Sequence, residues 1–568
     1  MERRTFLLLL ASASITPMKA VSQAKPARVD VAKLEQILKK EAERNLEKLS
    51  KEQVPAYYIA YRVYDTISAE GNSTFGELSR PSVCNRMRWA QVQLRVGSPA
   101  LDNTHEVKGD DSGAFYNSTK YFKIPLEDNE KAISTALWLN TDEVYKKAVI
   151  HFQKVQSQAV TKVASEDKAP DFSTEKREVY HEKPYQEKDV RKYMSELDKR
   201  IALYSSYFNS NKELTDGNVS YNVVLLRSSF VDTEGASIAQ NSFQFRIMAN
   251  ARTVADDGME LPLYKSYYAN TFDELPGNKQ VKQDMEWISN TLSALKKAPV
   301  ADTYAGPAIL DAAAAGVFFH EFFGHRLEGA RMKLEASDQT FKKKIGEQVL
   351  ADDISVYFDP QLRTYKETPL SGGYVFDDEG MRGRRVDVVA NGVLKDFLMS
   401  RTPIDGHPVS NGHGRGQIYY APVTRQSNMI VETSRPKTDR ELREMLVKEL
   451  KSHNKPYGYR FCEVSGGFTN ISRIDANAFY VTPLVVYRVY ADGRQDELVR
   501  GVNLVGTPLS IFSQIGGCGD DHVVFNGYCG AESGSIPVSA VAPSLFVKII
   551  ETQRQEKSQE LPPLLNRP

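Results

Sequence analysis

The sequence predicts an α+β protein: a mixed α/β N-terminal domain followed by a β-rich C-terminal domain that carries a His-Glu-x-x-x-His helix near its start. Three observations lead there. Helix-period and strand-period apolar patterns alternate up to about residue 300. Beyond it, short β-rich runs are punctuated by Asn-Gly and Asp-Gly turns. At the junction lies Ala312 to Phe323, an almost wholly apolar run interrupted by His320 and Glu321.

Residues 1–24 read as a signal peptide, outside the fold. Arg3-Arg4 precedes the apolar run Phe6 to Ala11, small residues follow through Ser14, and Ser22-Gln23-Ala24 offers a cleavage site. The mature chain is expected to begin near Lys25, in the periplasm or another extracytoplasmic space of a bacterium. Arg3-Arg4-Thr5-Phe6-Leu7 also resembles a twin-arginine signal, and a general secretory signal carrying two Arg fits equally. No later segment approaches the roughly 18 continuous apolar residues of a membrane span.

Val31, Leu34, Ile37, Leu38, Leu46 and Leu49 recur at helical spacing and predict an amphipathic helix over 29–52. Pro55 ends it, and Tyr57–Tyr64 and Arg88–Val96 read as strands. Helices are expected over 130–165 and 186–207, joined by a Lys/Glu-rich stretch, 166–188, that reads as a solvated connection. Val223–Ser228 and Phe243–Ala249 read as paired strands around Asp232-Thr233-Glu234-Gly235. A helix over 277–297 then leads into a linker through Pro299 and Pro307. The N-terminal domain is thus placed at 25–290 and the C-terminal domain at 291–560. In the latter, Val386–Val389 and Leu394–Leu398 form a hairpin about Asn391-Gly392, and Leu484–Tyr490 and Glu497–Val505 a second about Asp492-Gly493. Ile515–Val547, rich in Gly and short apolar runs, suits tightly turned β structure.

Chemistry concentrates in His320-Glu321-Phe322-Phe323-Gly324-His325. Neutral imidazoles are good zinc ligands, and a carboxylate beside the metal can take a proton from a zinc-bound water. A charged Glu and two His would be costly on so apolar a helix without a partner. Residues five apart on an α-helix lie roughly 140° apart around its axis, so a regular helix would not aim both rings at one ion. A π-type turn, centred on Gly324, is expected to restore a common face. A third ligand must come from elsewhere. Spacing leaves open Cys518 with His522, Cys529, or His407 and His413 in the Gly-rich loop 406–416.

The wider pattern resembles that of the TldD/PmbA metallopeptidases. The residues that carry it are Phe319-His320-Glu321 and Gly324-His325-Arg326-Leu327-Glu328-Gly329, then Lys344-Ile345-Gly346-Glu347 and Phe376-Asp377-Asp378-Glu379-Gly380. They continue in Asn391-Gly392-Val393-Leu394-Lys395, Gly412-His413-Gly414-Arg415, and Gly527-Tyr528-Cys529-Gly530 through Pro537-Val538. The resemblance covers about 300–550. It implies zinc held by His320, His325 and Cys529, with Glu321 as catalytic base. It also implies a catalytic rather than a non-catalytic subunit, working as a homodimer or as a heterodimer with a related subunit, on unfolded or extended peptides. Ala330 departs from the Asp that often follows Leu-Glu-Gly in the family, which bears on a supporting or substrate contact rather than on the metal.

The function expected is therefore an exported zinc metallopeptidase, with His413 or Arg415 as a substrate-binding or oxyanion-stabilising donor. The alternative is a zinc-containing peptide-binding or maturation partner without turnover, which a closed four-ligand site would favour. Lys plus Arg equals Asp plus Glu, at 73 each, so charge gives no reason to expect a nucleic-acid partner. Four Cys are too few for a disulfide-built scaffold.

Overall fold

The computed structural model describes residues 31–107, 118–159, 168–334, 337, 339–469, 479–506, 512–555 and 565. The signal-peptide reading of 1–24 lies outside them. The first helix, α1 (Val31–Leu49), buries Leu34, Ile37 and Leu38 against the sheet that follows. That sheet is built on long strands, β1 (Ala56–Thr74), β2 (Val83–Ser98), β3 (Asp216–Asp232), β4 (Ser237–Val254) and β5 (Glu260–Ala269). They lie in the order β2-β1-β3-β4-β5, antiparallel throughout, and shorter strands at the edges bring the sheet to nine.

Helices α2 (Glu130–Ala159), α3 (Glu187–Ser206) and α4 (Asn278–Lys297) cover this sheet, in two apolar clusters. Helix α4 runs through position 290 to Lys297 and buries Val281, Met285, Ile288, Leu292 and Leu295. The chain therefore leaves the N-terminal sheet only after it.

The stretch 166–188 departs from the solvated connection expected of it. Its described part buries Asp171, Phe172 and Ser173. The Phe172 ring lies between two guanidinium groups, those of Arg95 and Arg401, each 3.8 Å from its centroid. Cation–π contacts with desolvated Arg explain why so polar a segment anchors in the interior.

The C-terminal region contains two further sheets. Strand β6 (Tyr304–Leu310) leads into helix α5 (Ala312–Phe322), and strands β7 (Ile354–Phe358), β8 (Val386–Ala390) and β9 (Asn428–Thr433) follow it. Helix α6 (Asp439–Ser452) precedes β10 (Tyr457–Thr469), β11 (Phe479–Tyr490) and β12 (Val502–Gly506). The last four strands are β13 (Ile515–Cys518), β14 (Val523–Ala531), β15 (Gly534–Ala542) and β16 (Leu545–Arg554). One sheet runs β6-β10-β11-β12-β16, and β6 also pairs with β16, so these strands close into a ring. The other runs β8-β7-β9-β15-β14, leaving β14 at its edge. The Asn391-Gly392 turn has φ 49° and 78°, the positive values a tight two-residue hairpin requires.

The architecture is thus a mixed α/β N-terminal region followed by a β-rich C-terminal domain, as the patterning predicts. Helix α5 lies between the ring and the second sheet, against β10 on one side and β14 and β15 on the other. Gly316 lets it approach closely, since a Cβ there would sit 3.2 Å from the Ala540 carbonyl oxygen.

Candidate metal centre

Helix α5 is buried on nearly all sides, with Phe318, Phe319 and Phe322 in the core. It stops at Phe322, and Gly324–Leu327 continues as a 3-10 turn. The π-type turn expected at Gly324 is not what forms, and tightening rather than widening redirects the chain. Two side chains account for it. Arg326 Nη1 donates to the Glu321 and Phe322 carbonyls at 3.3 and 2.7 Å, satisfying acceptors that an ending helix leaves free. Gln426 Nε2 donates to the His320 carbonyl at 3.2 Å, and its carboxamide lies where a Cβ on residue 324 would sit, so only Gly fits.

The redirected chain brings His320, on the last turn of α5, and His325, on the 3-10 turn, to ring centroids 5.0 Å apart. Cys529 reaches them from β14, its Sγ 3.3 Å from His325 Nε2. One ligand atom from each of the three lies within 4.8 Å of the others, and all three side chains are buried. Tetrahedral zinc with ordinary Zn–S and Zn–N bonds would hold sulfur and nitrogen about 3.5 Å apart, close to the separation found. Two imidazoles and one thiol also form a donor set that suits zinc.

The electrostatics pair a Cys529 thiolate with a protonated His325 ring, so a metal bound here would take the place of the ring proton. Burial would raise the Cys529 thiol, but the adjacent His325 and His320 rings outweigh it and hold the thiol well below its usual range. Burial would lower His325, but Cys529 and Glu328 outweigh it and bring the ring up to about 10. Glu321 Oε2 lies 3.9 Å from His325 Nε2, and the Glu321 side chain packs against Gly467 of β10. His320 and Glu321 line a cleft of about 470 Å³ between the edge strand β14, the end of β10, and strands β4 and β5 of the N-terminal sheet.

The other ligand candidates are engaged elsewhere. Cys518 is buried in β13, and burial pushes its thiol up to about 12. His522 Nε2 is 3.1 Å from the Val431 carbonyl, and His407 Nε2 is 3.2 Å from Asp396. His413 has no exposed surface, and its two ring nitrogens meet Asn411 Oδ1 and Ser427 Oγ, each at 3.0 Å. Burial and the nearby Arg415 bring its pKa down to about 3, so it is a neutral interior ring that offers no free atom to a substrate. Arg415 donates to the Gln426 carbonyl at 2.6 Å and stacks on Tyr374, 4.7 Å from its centroid. It lines a second cavity with Asp378 and Tyr528, not the cleft beside Glu321.

Sequence reasoning quoted Glu328 without giving it a task. Glu328 has no exposed surface, and its Oε2 lies 3.1 Å from His325 Nδ1 and 2.6 Å from Arg331 Nε. Arg425 Nε is 3.7 Å from Oε1, while its Nη2 donates to the Cys529 carbonyl at 2.6 Å. The only signal was the Glu three residues after His325.

Residues 303–554 match the PmbA/TldA metallopeptidase C-terminal domain. Over these residues the chain is similar to the TldD/PmbA metallopeptidases. A metalloprotease of Archaeoglobus fulgidus is 30% identical over 240 residues, 42% of this chain and 51% of that one. A zinc metalloprotease TldD homolog of Saccharolobus solfataricus is 25% identical over 373 residues, 64% of this chain and 76% of that one. The first of these matches thus spans about half of its relative's length. Among solved structures, TldE of Thermococcus kodakarensis superposes with a TM-score of 0.60 at 14% identity, covering 92% of this chain and 99% of that one. That likeness extends the shared fold beyond the matched domain.

Proposed function

We propose that this chain belongs to the TldD/PmbA family and is an exported zinc metallopeptidase that hydrolyses unfolded or extended peptides. The observation that carries the reading is the convergence of His320, His325 and Cys529 beside Glu321 at a cleft. Three protein ligands with room for a fourth is the pattern of catalytic rather than structural zinc, which favours turnover over a binding-only role. Zinc bound there would supply Lewis-acid chemistry, polarising a carbonyl and acidifying a water. Glu321 accepts the proton of the attacking water and returns it to the departing amine. Glu328 holds the His325 ring by Nδ1, which leaves Nε2 for the metal.

The edge strand β14 borders the cleft, so an extended peptide would add to it by backbone pairing, a mode that suits varied sequences and excludes folded ones. The reading includes a homodimer or a heterodimer with a related subunit, which light scattering on the purified chain would test. Export predicts a native N-terminus near Lys25, and an intact Met1 would overturn it. The decisive experiment is digestion of a peptide library by the purified chain. Activity lost to a chelator and restored by zinc supports the reading, and activity indifferent to both rejects it.

A further inference from the structure

The wall of the cleft contributed by the N-terminal sheet bears two cations, Arg246 on β4 and Lys265 on β5. Lys265 is neutralised, its Nζ bonded to Glu463 at 2.6 Å. Arg246 is not. Its Nε donates to Ser266 Oγ at 3.1 Å, its Nη2 donates to the Asn526 carbonyl at 3.2 Å, and its guanidinium sits 5.0 Å from the Tyr528 ring centroid. All three partners are neutral, and Glu70, which shares a smaller neighbouring cavity with Arg246, is paired with Arg80. The guanidinium is thus held in place on three sides while its charge stays uncompensated among the described residues, at the edge of the space where Glu321 lies.

Its hold on Asn526 matters as well. Asn526 belongs to β14, the edge strand that an added peptide would pair with. Arg246 already occupies that carbonyl, so backbone pairing is interrupted at Asn526 and a cation stands in its place. Cys529 is three positions further along the same strand. A planar guanidinium with free N–H groups is matched to a carboxylate, which it can bind through two parallel hydrogen bonds.

We propose that Arg246 is a specificity-determining residue that receives a carboxylate of the peptide, either its C-terminal α-carboxylate or an Asp or Glu side chain. This rests on the peptidase reading above, and its test includes binding as well as turnover. The probes are one extended fluorescent peptide in three forms: neutral and C-terminally amidated, neutral with a free C-terminus, and amidated with one internal Asp. Turnover is followed with the zinc-loaded parent, and binding by anisotropy with the zinc-loaded Glu321→Gln variant. We expect at least one carboxylate-bearing form to be favoured about tenfold over the amidated neutral form, the scale of one charge-assisted pair. Comparing the two carboxylate forms assigns the source. Arg246→Gln should remove the preference for the carboxylate-bearing forms over the amidated neutral form, and Arg246→Lys should retain part of it. Arg246→Glu should turn the preference toward a Lys-bearing peptide. Equal binding of all three forms by the parent, or a preference that survives Arg246→Gln, would overturn the assignment. Absence of turnover with carboxylate-selective, Arg246-dependent binding would instead reject the peptidase reading and leave the recognition site standing.

Discussion

Glu328 Oε2 lies 3.1 Å from His325 Nδ1, on the opposite side of the imidazole from the nitrogen that meets Cys529 Sγ. The carboxylate therefore fixes the ring's orientation and selects the tautomer whose Nε2 can ligate. Burial would raise Glu328, but Arg331 and His325 outweigh it and keep its pKa well below the usual carboxylate range. The acid thus stays charged with no exposed surface, which is costly unless its partners remain in place.

Glu328→Gln keeps the side-chain shape but removes the charge that Arg331 and Arg425 share. We expect zinc affinity to fall about 10- to 100-fold, the usual scale for losing a ligand's supporting carboxylate. Competition against a calibrated chelator measures it. Unchanged affinity would show that His325 is oriented without Glu328.

Glu321→Gln isolates the chemistry from the metal. Both His ligands and Cys529 remain, so zinc content should match the parent, while peptide turnover should fall by about two to four orders of magnitude, as expected for a lost general base. Near-normal turnover would remove Glu321 from the mechanism.

How much of this was legible in the sequence follows from locality. His320, Glu321 and His325 stand out because polar residues interrupt an apolar helix, and the helix and strand periodicities of the N-terminal region fall where elements form. The turn after Phe322 was misread because its shape depends on Gln426, far along the chain, whose carboxamide crowds Gly324. The closure of the C-terminal ring rests on pairing between β6 and β16, strands at opposite ends of the domain that no short-range pattern connects. Arg331 and Arg425 look like surface cations until the fold sets them on one buried carboxylate. Phe172 shows the converse, a lone aromatic in a polar stretch that two Arg draw into the interior.

His413 makes the fold sensitive to acid. Burial depresses its pKa from 6.5 to about 3, so the folded state favours the neutral ring. The stability this holds is present above about pH 6.5 and is lost as pH falls toward 3, by at most about 1.4 kcal/mol per pH unit. His413→Gln should lower the melting temperature at pH 7, because it disturbs buried hydrogen bonds, yet lose less on going from pH 7 to pH 4.5. Parallel melting curves for parent and variant check this, and equal losses would assign the acid sensitivity to other groups.

Cys529 and Cys518 separate the two ways of completing the metal site. Both thiols are buried, but Cys518 is pushed up by burial while Cys529 is held low by two imidazoles, so the second alone is poised as a thiolate. Metal binding requires that form. Cys529→Ala should therefore lose most of its zinc after dialysis, measured by elemental analysis, while Cys518→Ala and His522→Ala retain it. With zinc bound, Cys529 should also resist thiol-reactive probes and disulfide formation, and become reactive once a chelator has removed the metal. If Cys529→Ala held zinc as tightly as the parent while Cys518→Ala did not, the ligand set would pass to Cys518 and His522, and the convergence around His325 Nε2 would need another explanation.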